Sequence, residues 1–151
     1  MKPRISEKGE LKIVGCVSYG GDIAEIWDVF TRHEKAIKHA NLSAGYEIHI
    51  FPDNCEKGQK YHIMVGVEVE EFEDLPLETF AKTIPASTYA VFTHRLADGG
   101  YAGANDRVNK WLNESEYKLA FPYSIQYYDD RFKGGDKPDS EIDIYMPITP
   151  K

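Results

Sequence analysis

Glu141 and Asp143 stand two residues apart in EIDIYMPI (141–148), a segment whose alternation reads as a strand. That spacing puts both carboxylates on one face. Desolvated together, one titrates high and becomes available as an acid. An exposed acidic strand edge is the plainer alternative. It suits Glu141, beside a polar loop, better than Asp143, which is flanked by isoleucines. Glu68 between Val67 and Val69 raises the same question, and Tyr145 adds a phenol to the face of Asp143. Glu68, Asp143 and Tyr145 are therefore the catalytic candidates: a carboxylate to direct water, and a phenol or protonated acid to assist a leaving atom. His49 and His62 are further candidate bases, although a lone His on a strand is more often structural. His94 is uninformative, and His33 and His39 are expected to face solvent on the first helix. No His and carboxylate pair has recognisable metal spacing, and neither a Gly-rich phosphate loop nor a nucleophile elbow occurs. Neither metal nor cofactor is expected.

The elements that must position these groups follow from periodicity. LKIVGCVSY (11–19) reads as a strand, broken by Gly20-Gly21. Asp22 is a plausible N-cap, after which Ile23, Ile26, Trp27, Phe30 and Ile37 recur at helical spacing until about Asn41 to Gly45. YEIHIF (46–51) and YHIMVGVEV (61–69) alternate as strands. Beyond an acidic connector come a short strand near 79–84, a strand at 87–95, and a helix at about 104–115 bearing Val108, Trp111 and Leu112. Strands at 123–129 and 141–148 complete the pattern. Each half thus reads strand, helix, strand, turn, strand. Ile48 matches Ile125 and Val14 matches Val91 at an offset of 77 (125 − 48 and 91 − 14), and Ile63 matches Ile142 at 79 (142 − 63). The expected fold class is α+β: one domain over 1–151, with two pseudo-symmetric βαββ repeats (about 11–75 and 78–148) sharing an antiparallel sheet, two helices and a central ligand cleft.

Clefts favour such internal interfaces. In the last hairpin the buried face is expected to hold Ile125, Tyr127, Ile142, Ile144, Met146 and Ile148. Gln126, Tyr128, Glu141, Asp143 and Tyr145 are left on the other face. The corresponding first-half face carries His49 and Phe51 with His62, Met64 and Glu68. Rings, a thioether and carboxylates together suit a flat organic ligand, especially a cationic one. A solvated strand face decorated by Tyr is the plainer alternative. Trp27, close behind Gly20-Gly21, is expected to reach the cleft mouth, whereas Trp111 is expected to pack in the core.

Composition narrows the function classes. The chain has 151 residues, a formal net charge of −7 and two cysteines. Scattered Lys and Arg among more numerous acids argue against direct nucleic-acid binding. No apolar run approaches the ~20 residues of a membrane span. The N-terminus lacks a secretory h-region, so a reduced cytoplasmic setting is expected.

TIPASTYAVFTH (83–94), VNKWLNESEY (108–117), YYDDRF (127–132), SEIDIYMPI (140–148), YHIMVGVEV (61–69) and DIAEIWDVF (22–30) together resemble the GyrI-like, or bacterial effector-binding, domain family. The resemblance runs from Leu11 to Ile148 and implies two βαββ repeats around a cleft for drug-like, often cationic or aromatic molecules. Many relatives carry the domain behind a helix-turn-helix segment. About ten residues precede the first strand here, so a stand-alone member is expected. Stand-alone relatives include toxin-sequestering proteins, a gyrase-inhibitory protein and hydrolases of cyclopropane-bearing natural products. One position departs from the stand-alone pattern F-E-x-Y-D. The aligned Ile125-Gln126-Tyr127-Tyr128-Asp129 holds Gln126, which hydrogen-bonds but neither neutralises a cation nor serves as a base. Glu68, Glu141 and Asp143 are then the acids expected to supply the charge.

The reading that results is a small-molecule binder, a sensor or sequestering protein. Its expected ligand-binding residues are Trp27, Phe51, Met64, Glu68, Gln126, Tyr128, Glu141, Asp143 and Tyr145. A hydrolase of strained electrophiles ranks second, and a protein-partner role, as in gyrase inhibition, ranks third.

Overall fold

The computed structural model describes residues 2–56 and 58–151. Nine strands form one antiparallel sheet: β1 (Arg4–Lys8), β2 (Leu11–Tyr19), β3 (Gly45–Ile50), β4 (His62–Glu68), β5 (Phe80–Ile84), β6 (Ser87–Arg95), β7 (Tyr117–Leu119), β8 (Tyr123–Tyr128) and β9 (Glu141–Pro150). The order is β1-β6-β9-β8-β3-β4-β2-β5, with β7 added beside β9. Two helices, α1 (Ile23–His33) and α2 (Gly100–Glu114), cover one face. No helix among the described residues is long and apolar enough to cross a membrane.

The α+β expectation holds, and its two halves share one order of elements apart from β7, which lies between α2 and β8 in the second. β2-α1-β3-β4 and β6-α2-β8-β9 meet where β3 pairs with β8, with Ile48 directly opposite Ile125. Register does not carry the expected equivalences across the sheet: with Ile48 matched to Ile125, their partners Met64 and Tyr145 correspond at 81 (145 − 64), not 79. Ser18 opposes Ile63, and His94 opposes Ile142. Val14 packs on the helix side whereas Val91 packs on the other face, so that expected pair is not equivalent either.

Local chemistry sets the element ends. The Asp22 carboxylate accepts from the Ala24 N–H at 2.8 Å and caps α1. That helix ends at His33 and tightens into a 3-10 turn, Glu34–Ala36, shorter than the apolar spacing predicts. His39 lies beyond it, with φ of 61°. α2 starts at Gly100, earlier than expected, from the left-handed Gly99. β1 and β7 were not expected: RISEK is too charged to read as a strand, yet it suits an edge position.

The helix side of the sheet is dry under each helix. Ile26 and Phe30 of α1 sit on Val14, Cys16, Val65 and Val67, and Ala104 and Val108 of α2 sit on Phe92, Ile142 and Ile144. The helix-free face is dry as well, joining Ile13, Ile48, Met64, Tyr89, Ile125 and Tyr145 in one cluster. A flat sheet would leave this face wet, so its coil must carry the outer strands over it. Gly15 and Gly66 pair where β2 meets β4, and a Cβ on Gly15 would lie 1.9 Å from the Val65 carbonyl oxygen. The strands approach there as only glycine permits.

Candidate functional site

The cleft lies between α1 and α2, floored by the two central strands, and encloses about 630 Å³. That is within the ~300–1,000 Å³ of small-molecule sites. α1 turns Ile23, Ala24 and Trp27 toward it, and α2 turns Tyr101 and Asn105. β3 supplies Glu47 and His49, and β8 supplies Gln126 and Tyr128. Tyr61 and Phe132 close the ends. Alternation along β3 and β8 places these four strand residues on the helix side. Ladder register sets Glu47 directly opposite Gln126.

Glu47 is the polar centre of the site. Its side chain is 4% exposed. Trp27 Nε1 donates to one carboxylate oxygen at 2.8 Å, and His49 Nε2 contacts the other at 2.7 Å. His49 Nδ1 in turn lies 3.1 Å from the Tyr61 hydroxyl. Among the described residues no Lys or Arg pairs with Glu47; His49 is its one basic neighbour. Two oxygens offer about four acceptor sites, so acceptor capacity remains.

Aromatic rings surround this carboxylate. Trp27 meets Tyr128 edge-on at 5.8 Å, and Tyr128 meets Phe132 edge-on at 4.8 Å. Gly45 leaves room for the indole, because a Cβ there would lie 3.0 Å from it. The Tyr128 hydroxyl donates to the Gln126 side-chain oxygen at 2.7 Å. Burial, reinforced by the Glu47 charge, drives the Tyr128 phenol far above its ordinary range. Burial foremost also raises Tyr61 and Tyr101. The cleft therefore presents neutral phenols rather than tyrosinate bases.

The structure divides the expected site residues between two faces. Trp27, Gln126 and Tyr128 line the cleft, and Phe51 packs on Tyr61 at 5.3 Å at the border of a neighbouring cavity. The expected grouping of Gln126 and Tyr128 with Asp143 and Tyr145 is corrected by register. Tyr127 opposes Asp143 and Ile125 opposes Tyr145, so Asp143 and Tyr145 occupy the helix-free face. The same one-residue slip separates His49 and Phe51 from His62, Met64 and Glu68, since Ile48 opposes Met64. Met64 and Tyr145 are core residues, and Glu68 edges a small hollow with His39 and Asn41. Glu141 lies 3.8 Å from Arg95 beside a polar hollow that Lys2 and Arg4 also line. Asp143 is held by Arg4 at 3.1 Å, Arg131 at 2.9 Å and Thr93 at 2.6 Å. Burial raises its pKa, but those hydrogen bonds outweigh burial and hold it below the usual carboxylate range.

Glu47 and Tyr101 were absent from the expected set. Glu47 shares the parity of His49 and Phe51 in YEIHIF, which was the available signal. Tyr101 lies in a stretch expected to be loop. A group with three candidate metal-ligand atoms, His39, Glu71 and Glu73, is exposed, with Lys38 paired to Glu73 at 3.5 Å.

Comparison with known proteins gives this geometry relatives. Transcriptional regulator BrlR of Pseudomonas aeruginosa is 32% identical over 155 residues, covering 98% of this chain. The chain spans 56% of that protein's length. SAV2435, solved bound to tetraphenylphosphonium, superposes with a TM-score of 0.75 at 16% identity, over 99% of this chain and 94% of that one. The EcmrR C-terminal domain gives 0.74 at 16% identity, over 99% and 98%. Integron cassette protein VCH_CASS2 from the mobile metagenome of Vibrio cholerae gives 0.60 at 16% identity, over 99% and 97%. These likenesses agree with the GyrI-like resemblance in fold. Residues 4–148 match the Cass2 family, and the chain is a member of this family of integron-associated effector binding proteins.

Proposed function

We propose that this chain binds an aromatic organic cation between α1 and α2, with Glu47 as counter-ion and Trp27, Tyr101 and Tyr128 as walls. Glu47 carries the reading. Glu47 is buried with no Lys or Arg paired to it among the described residues, and a cationic ligand would supply the charge partner. Rings beside the carboxylate add cation–π attraction, which strengthens on desolvation. The ligand seen in SAV2435 is such a cation, and the family description is that of effector binders, which supports the reading. Gln126 does not weaken it, since the acid is provided one strand away. The two βαββ halves are read as a duplication within one domain. The role is that of a cytoplasmic sensor or sequestering protein.

A thermal-shift screen of aromatic cations against neutral isosteres, with product analysis of every hit, tests this. A ligand at a hundred times its Kd stabilises the fold by ~2.7 kcal/mol. Cations are expected to stabilise and to be recovered unchanged; stabilisation by the neutral isosteres alone contradicts the reading. A hydrolytic reading draws on one observation, the chain from Glu47 through His49 to Tyr61 along the cleft wall. Conversion of cyclopropane-bearing electrophiles, lost in His49→Gln, would favour it.

A further inference from the structure

The cleft does not end the apolar surface on the helix side. A second cavity of about 680 Å³ opens between α2, the approach to β8 and the 51–56 loop. Its walls are Val108 and Leu112 of α2, Leu119 and Phe121 ahead of β8, and Ile144 and Met146 of β9. Asn105 and Gln126 border both cavities. The two cavities therefore adjoin at a pair of amide residues. The hydroxyl of Tyr128 donates to the Gln126 side-chain oxygen, and the NH₂ group of the same amide is a hydrogen-bond donor. The lobes differ in chemistry. The first holds the buried Glu47, whereas the carboxylates bordering the second, Asp53 and Glu56, are exposed at its rim.

We propose that the ligand class is elongated: an aromatic cation whose charged ring system occupies the Glu47 lobe, with an apolar extension passing between Asn105 and Gln126 into the second lobe. This rests on the cation reading above and extends it. The extension gains by leaving water for aliphatic walls, at about fourfold in affinity per fully buried methylene. A compact cation fills only the first lobe.

N-methylquinolinium and N-hexylquinolinium separate the two lobes when titrated by calorimetry into the wild type, Leu112→Asn and Phe121→Ser. The second readout is the rate of maleimide attack on Cys55, an exposed thiol bordering the second lobe; the other cysteine, Cys16, is buried. On the wild type the hexyl compound is expected to bind at least tenfold tighter and to slow Cys55 alkylation, which the methyl compound leaves unchanged. In either variant the gain from the chain collapses while methyl affinity holds. A gain that survives both substitutions, with Cys55 reacting at its free rate, overturns the second lobe and leaves the cation reading standing. Failure of both compounds to bind the wild type overturns the cation reading itself and the extension with it. Cys55 protection on the wild type needs no variant to fold.

Discussion

Glu47 and Gln126 face one another across the β3–β8 ladder, so the two central strands deliver a carboxylate and a carboxamide to one patch of cleft floor. The acid expected on the penultimate strand is thereby supplied by its neighbour. Glu68, Glu141 and Asp143 lie elsewhere: at a hollow near the end of β4, beside Arg95, and in the Arg4–Arg131 clamp.

Ligand entry should be visible through one tryptophan. Trp27 touches both Glu47 and the cleft, whereas Trp111 packs between Phe92 and Tyr117 beneath α2. Saturable quenching by an aromatic cation is expected to persist in Trp111→Phe and to vanish in Trp27→Phe. Quenching that follows Trp111 would put the ligand elsewhere.

Acid should weaken the fold through Asp143. Its native pKa lies below the ordinary value, so its contribution is present above the unfolded pKa of ~3.9 and lost as pH falls through the native value. Asp143→Asn leaves Arg131 without one partner, at a cost of about 1–3 kcal/mol once the half-exposed Arg4 is discounted. In denaturant titrations that gap should narrow below about pH 4. A gap independent of pH would exclude the ionised clamp.

Much of the architecture was legible because periodicity is local. Asp22 and the Ile26–Phe30 spacing announce α1, and odd residues of β4 correctly share the buried helix side. Face assignment across strands was not legible. The long 129–140 connection leaves β8–β9 register to tertiary packing, and one residue of slip exchanged Asp143 and Tyr145 for Ile142 and Ile144. Glu47 was overlooked because a lone acid in YEIHIF carries no motif. Its meaning comes from Trp27, twenty residues earlier in the chain, and from Gln126 on another strand.

The glycine pair should tolerate no side chain. Gly15→Ala sets a Cβ against the Val65 carbonyl and is expected to cost at least about 2 kcal/mol. Gly9→Ala, with nothing within 4 Å, should stay within about 0.5 kcal/mol of the wild type. Equal effects in thermal denaturation would mean that β2 and β4 are not in such close contact.

The most direct test of Glu47 as counter-ion is calorimetric titration of N-methylquinolinium and its neutral near-isostere 1-methylnaphthalene into the wild type and Glu47→Gln. Loss of a buried charge partner is worth at least about 2 kcal/mol, roughly thirtyfold. The cation should lose that much in Glu47→Gln while the affinity of the neutral compound changes far less. Equal loss for both compounds, or none for the cation, would contradict the assignment of Glu47.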